Sequence, residues 1–150
     1  MKPEETIDFH LRNTWLRFAK YYNNTAAEHD GSLTTGFILL NIDAANGTPS
    51  TQLGPKMGLE STSLVRPLKT LEEKGLIYRK KDDKDKRVVK IFLTPDGVKK
   101  RAVSKETVVN VNTLLNEKLG DNTMKEMIKG LKKISSNLEK LNIDHGKKSC

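Results

Sequence analysis

Apolar residues along this chain fall into stretches of one-sided helical spacing, separated by turn chemistry. Ile7, Leu11, Trp15, Phe18 and Tyr22 step by four, four, three and four residues, a single stripe that predicts a helix over residues 4–28. Pro3 suits its start, where a missing N–H removes no needed hydrogen bond. Asp30-Gly31-Ser32 reads as a turn. A second helix follows over 33–45, with Phe37, Ile38, Leu40 and Ile42 inward and Asn46-Gly47 closing it. Thr48-Pro49 predicts a short strand. A third helix spans 51–57, capped by Ser50 or Thr51, burying Leu53 and Met57 and stopping at Gly58, with Leu59 plugging the turn. Gly54-Pro55 is awkward inside it, since proline is tolerated only near a helix's amino end.

The next helix opens near Ser61, and Leu64, Leu68 and Leu71 recur at the spacing of one buried face. At about 100° per residue the opposite face carries Thr62, Arg66, Lys69 and Glu73, with Ser63 and Thr70 beside it. Small hydroxyls and an arginine at the start of a helix suit a surface that enters a DNA major groove. Pro67 falls inside this helix. A mild kink is the first expectation, ahead of a ring that shapes the groove-facing surface or meets a thymine methyl. Gly75 ends the helix. Residues 76–79 read as a strand, 80–87 as a tip of lysine, aspartate and arginine without an apolar residue, and 88–93 as a second strand. Helix, turn, helix and charged hairpin describe a winged helix-turn-helix, mainly α with a small β-hairpin wing (α+β).

Beyond the hairpin, Thr94 is placed as an N-cap and Pro95 as the first residue of a long helix to residue 118. Its stripe is looser: Val98, Ala102, Val109, Val111 and Leu115. Gly120-Asp121 breaks it, and Asp121 or Asn122 caps a last helix. There Met124, Ile128, Leu131, Ile134, Leu138 and Leu141 make a heptad-like seam of nearly three repeats. Added to the stripe of the first helix, this exceeds what a small winged helix needs for its own core. The surplus argues for a second copy of the chain. A twofold dimer sets two recognition helices about one DNA turn apart and expects a near-palindromic operator. Residues 144–150 read as a frayed tail.

Gln52-Leu53 followed by Met57-Gly58-Leu59, the run Leu71-Glu72-Glu73-Lys74-Gly75-Leu76-Ile77, Asp85-Lys86-Arg87, and Leu93-Thr94-Pro95-Asp96-Gly97 together resemble the MarR family of bacterial transcriptional regulators. Their order and spacing carry the likeness, and the Asp-x-Arg tip followed six residues later by Leu-Thr-x-x-Gly is its most discriminating part. The flanking helices join it more weakly. The resemblance implies one domain over 1–150, with a winged helix-turn-helix DNA-binding lobe at 33–97 and N- and C-terminal dimerisation helices at 1–30 and 98–143. Arg87 matches the family's wing arginine, which gains from the negative potential of a narrow minor groove. Asp85, two residues earlier, is placed to hold the guanidinium in a bidentate pair. The plainer reading is a solvated hairpin whose charges protect an edge strand. The functional reading is preferred because both residues fall where the resemblance requires them.

The expected DNA-contacting set is Ser61, Thr62, Ser63, Arg66, Lys69, Thr70, Lys84, Asp85, Lys86 and Arg87. Lys80, Lys81, Lys84, Lys86 and Lys90 would meet backbone phosphates, adding affinity without sequence information. The resemblance also sets a ligand cavity beside the first helix, which makes Trp15, Phe18 and Tyr22 candidates for a small-molecule effector site. Ordinary core packing is the simpler role for these aromatics.

Charge sharpens the picture. The chain of 150 residues carries a net charge of +8, and residues 50–101 hold 14 Lys and Arg against 7 Asp and Glu, so +7 of it lies in about a third of the sequence. Such confinement is the footprint of a polyanion partner rather than of a merely lysine-rich surface. No apolar run approaches bilayer length, and the first residues lack the apolar core of a secretory signal, so a cytoplasmic protein without membrane contact is expected. The single cysteine, Cys150, reads as incidental. His10 and His29 lack partners at metal-ligand spacing, so neither metal nor cofactor is expected. An enzyme is disfavoured by the absence of a phosphate-binding glycine loop and of paired catalytic carboxylates. The expectation is a dimeric, sequence-specific regulator, a repressor released by a ligand that binds the DNA-incompetent arrangement more tightly. The alternative is a winged helix that serves as a protein-interaction module without DNA binding, which predicts no need for a wing arginine or a basic bias.

Overall fold

The computed structural model describes residues 1–147, with side chains described to residue 141. Residues 1–108 form one unit and the chain from Val109 onward a second, and each is taken by itself. In the first, a 3-10 turn at Pro3–Glu5 precedes α1 (Ile7–Ala27). Thr6 between them is extended, so the helix expected from residue 4 begins later. After α2 (Leu33–Asn41), the two-residue strand β1 (Thr48–Pro49) leads into α3 (Ser50–Met57). A 3-10 turn at Ser61–Leu64 runs into α4 (Val65–Glu73), followed by β2 (Ile77–Lys81), β3 (Val89–Leu93) and α5 (Pro95–Leu119), which continues into the second unit. α6 (Asp121–Lys147) follows there.

One aliphatic cluster organises the first unit. Ile38, Leu39 and Ile42 meet Leu53, Leu64, Leu68, Leu71, Ile77 and Ile91, all buried. Met57, Leu76 and Leu93 pack around it. The three leucines expected on the inner face of the recognition helix are therefore there. Leu39 takes the place expected for Leu40 and Phe37, which are only half-buried. α2 also stops short of residue 45. Asp43 Oδ1 accepts the N–H groups of Ala45 and Asn46 at 2.9 and 3.0 Å, and Thr48 Oγ1 accepts that of Asp43 at 2.9 Å. An aspartate that captures the following amides offers the backbone an alternative to helix.

Two further expectations change for local reasons. Leu59 does not plug the turn after α3, being 41% exposed. Gly54 makes that turn possible instead, because a Cβ there would stand 2.7 Å from the Leu59 carbonyl oxygen. Ser50 lies within α3, and Pro49 occupies the cap position without a side-chain bond. Pro67 produces no mid-helix defect. Since residues 61–64 wind as a 3-10 turn, Pro67 is the third residue of α4, in the first turn where N–H groups have no intrahelical partner.

The sheet has the order β1-β3-β2 and is antiparallel throughout. Thr48 pairs with Ile91, and Ile77 with Leu93. β2 begins one residue later than expected and runs two further toward the tip, and β3 begins one residue later than expected, leaving a tip of 82–88. Tyr78 and Phe92 face each other across it as stacked rings 5.4 Å apart. At the foot of the hairpin Thr94 caps α5, accepting the Gly97 N–H at 3.0 Å and donating to the Gly75 carbonyl at 2.6 Å. Gly97 is confined by the same junction: a Cβ would fall 1.9 Å from the Leu76 carbonyl oxygen.

Only part of the stripe expected on α5 faces inward. Val111 is buried and Leu115 half-buried, but Val98, Ala102 and Val109 are exposed, while Arg101, Val103, Ser104, Thr107 and Val108 are half-buried. In the second unit Gly120, at φ 81°, separates the two long helices, and α6 continues through residues 144–147 expected as tail. Cys150 lies outside the described residues. Leu71→Ala should cost about 2–5 kcal/mol by emptying the centre of the cluster, measured by urea denaturation; an equally stable variant would contradict the packing described.

Candidate nucleic-acid interface

The 3-10 opening of α4 places Ser61, Thr62 and Ser63 in one exposed turn, with Arg66 exposed one turn on. Leu64 beneath them is buried, so the polar surface is fixed from below by the core. Lys69 is exposed and reaches Glu73 at 3.8 Å. Thr70 is half-buried, and its hydroxyl donates to the Arg66 carbonyl at 3.1 Å, which leaves it the least available of the expected contacts. At the other end of the helix Glu72 meets Arg79 Nε at 3.2 Å, tying α4 to β2.

The wing is built from carboxylates. Arg87 donates from Nε to Asp85 Oδ1 and from a terminal nitrogen to Oδ2, both at 3.0 Å, and its backbone N–H adds a third bond to the same carboxylate at 3.0 Å. The bidentate pair expected from the sequence is therefore formed. It leaves the arginine side chain 90% exposed while fixing its base. The guanidinium holds the Asp85 carboxyl below its ordinary range. Asp82, absent from the expected set, does the corresponding work inside the loop. One oxygen meets Lys90 Nζ at 2.6 Å, and the other accepts the N–H groups of Lys84 and Asp85, each at 3.1 Å. The Lys90 bond first, and the Asp85 amide next, bring its carboxyl down to about 2.

This changes the assignment of the lysines. Lys90 is drawn into the hairpin by Asp82, so it is a brace for the loop and not the free phosphate contact expected. Lys80 and Lys86 share Asp83, at 3.3 and 3.7 Å, in exposed pairs that solvent keeps weak. The signal for Asp82 was present in the sequence, as an aspartate at the start of a turn two and three residues before amides it can accept. Its partner eight residues ahead follows only from the hairpin register.

Behind α4, within the same unit, lies a cavity of about 60 Å³. Tyr22 lines it, whereas Trp15 and Phe18 do not. Those two aromatics pack instead: Trp15 lies 6.1 Å from Phe37, and Phe18 stacks on Tyr22 at 6.0 Å. Burial, with Tyr21 nearby, raises the Tyr22 phenol above its usual value. No local pattern along the chain signals the remaining lining, which comes from the α1–α2 turn, α2, the end of α4 and α5. Among the described residues no three His, Cys, Asp or Glu side chains cluster as a metal site, and no helix is long and apolar enough to cross a membrane.

Comparison with known proteins places this geometry. The model of the MarR family matches residues 32–89. A protein of Thauera aromatica assigned as the transcriptional regulatory protein for the hcr operon is 27% identical over 129 residues, covering 85% of this chain and 78% of that one. The HTH-type transcriptional regulator SarZ of Staphylococcus aureus is 33% identical over 78 residues, 52% of this chain and 53% of its own. Among solved structures, the transcriptional repressor CouR bound to a 23-mer DNA duplex aligns with a TM-score of 0.78 at 25% identity, covering 88% of this chain and 94% of that one.

Because a depressed carboxyl favours the folded wing when ionised, Asp82 should stabilise the loop fully above about pH 4 and lose that effect as pH falls toward about 2. Carbon-detected NMR titration should show the Lys90→Met variant with an Asp82 midpoint nearer 3.8. An unmoved midpoint would remove the brace from the account.

Proposed function

We propose that this chain is a transcriptional regulator of the MarR family, two copies of which bind one near-palindromic duplex as a repressor released by a small ligand. The observation that carries the DNA reading is the pairing of an exposed Ser61-Thr62-Ser63/Arg66 surface with an arginine held out on a carboxylate-braced wing. The first surface suits base edges in a major groove, and Arg87 suits the adjacent minor groove. Lys69, Lys84 and Lys86 add phosphate contacts, and Asp85 orients the guanidinium. CouR, with a similar fold, is a repressor seen on DNA.

In this reading residues 33–97 are the DNA-binding lobe, residues 1–30 and 98–143 supply the dimer contacts, and the protein works in the cytoplasm. Support for a second copy comes from apolar side chains left uncovered in a single chain. Ile7 and Trp15 on α1 are 60% and 47% exposed, and Leu138 and Leu141 on α6 are 54% and 55% exposed. Rows of this kind are normally covered by another surface. The ligand reading rests on the cavity beside Tyr22, whose walls include the end of the recognition helix.

Arg87→Ala should weaken binding to an operator duplex by on the order of 1 kcal/mol or more, read by fluorescence anisotropy. Its melting temperature should hardly move, because exposed pairs contribute little to stability. Wild-type affinity should fall steeply as salt rises, through counterion release. A salt-independent signal, or an Arg87→Ala variant with unchanged affinity, would favour a protein-interaction module instead.

A further inference from the structure

The outward face of α4 is polar except at one position. Leu64, Leu68 and Leu71 are buried on the inner side, while Arg66 and Lys69 are exposed on the outer one. Val65, the first residue of α4, is 64% exposed, more than any other large apolar side chain described apart from Met1. A lone exposed valine is ordinary on a protein surface. This one stands at a particular place. It opens α4 just after the exposed turn of Ser61, Thr62 and Ser63, and it lies one turn before Lys69 in a row that continues to Glu73. The amino-terminal residues of a groove-entering helix are the ones that reach base edges.

Nothing in the fold accounts for the residue type. Valine is a poorer helix former than alanine because its branched Cβ loses rotamer freedom, and so exposed a side chain gains little burial to offset that. Toward a partner the same branching is an advantage. One χ1 rotamer dominates in a helix, so two methyl groups are held in place before contact. An aliphatic side chain offers neither donor nor acceptor, and on the base edges of a major groove the one apolar group is the C5-methyl of thymine. Pro67, the other apolar candidate for that contact, is half-buried. It lies about 160° round the helix from Val65, turned away from the row that carries Lys69.

We propose that Val65 selects thymine at one position of each half-site, by van der Waals contact with its C5-methyl. A cytosine there lacks the methyl and brings an N4 donor that valine cannot accept. The hydroxyls and Arg66 then read neighbouring base edges, and Lys69, one turn on, meets a phosphate. The inference deepens the DNA reading above and rests on it. Removing one methyl from such a contact weakens binding about fourfold, so two symmetric half-sites multiply to about fifteenfold.

The test takes a duplex selected from genomic fragments by the full-length chain and replaces each symmetric pair of thymines in turn by deoxyuridine. That base keeps every hydrogen-bonding group of thymine and lacks only the methyl. In anisotropy titrations the wild-type chain should lose about fifteenfold in affinity at one pair. Val65→Ala, which removes both outward methyls, should bind the unmodified duplex correspondingly less tightly. At the same pair it should then lose about twofold or less on uridine replacement, since the contact is already gone. Its melting temperature should match or exceed that of the wild type, because the position is exposed and alanine favours helix. Uridine tolerated at every pair by the wild type, or equal sensitivity in Val65→Ala, overturns the contact and leaves the DNA reading standing. Binding of every duplex alike, with no sequence recovered, does the same. A chain that binds no duplex even in dilute buffer overturns the contact and the regulator reading together.

Discussion

Burial of Leu64, Leu68 and Leu71 against Ile38, Ile42, Leu53, Ile77 and Ile91 determines where the polar face of α4 and the foot of the wing end up. Each such side chain contributes about 1.5–3 kcal/mol on leaving water, and all of them draw on the same small cluster. Because the recognition helix and both long strands share it, the helix cannot rotate without exposing leucine, and the hairpin cannot slip by one residue without turning Ile77 and Ile91 outward. The exposed turn at Ser61–Leu64 and the foot of the wing are thus held in one frame. Close backbone approaches complete it, at Gly54 under the Leu59 carbonyl and at Gly97 beneath that of Leu76.

Farther out, the wing tip has no hydrophobic support, and order comes from carboxylates that satisfy local donors. Asp82 secures the loop against Lys90, and Asp85 receives Arg87 three times over. Exposed ion pairs add little to global stability. Their effect here is to restrict the arginine before a partner arrives, which lowers the ordering cost of association. The stable core and the oriented wing are therefore separate physical solutions within one lobe.

Much of the lobe was legible along the chain because its signals are local. The leucine period of α4, Gly58 and Gly75 at positive φ, the Thr94-Pro95 cap and the Asp85–Arg87 pair all involve neighbours within a few residues. The errors lie where geometry overrides a local rule or where partners are distant. Pro67 looked like a kink until the 3-10 turn moved the start of the α-helix toward it. On the first half of α5 the less exposed face carries Ser104 and Thr107, so counting apolar residues misplaced Val98, Ala102 and Val109, though not Val111 and Leu115. Trp15 and Phe18, named as candidates for a ligand site, take the packing role that was their simpler reading, near Phe37 and Tyr22. The contacts of Lys74 with Asp30 and of Lys100 with His29 span 44 and 71 residues, and no pattern within a helix foretells them.

The proposed reading of a palindrome requires a second copy, for which the uncovered apolar rows of α1 and α6 would be the material. Sedimentation equilibrium of the purified chain, alone and with a duplex recovered by selection from genomic fragments, addresses both parts at once. Two chains per duplex are predicted, with half-sites centred about 10–10.5 base pairs or a multiple apart. A monomer that leaves every duplex unbound in dilute buffer would contradict the account.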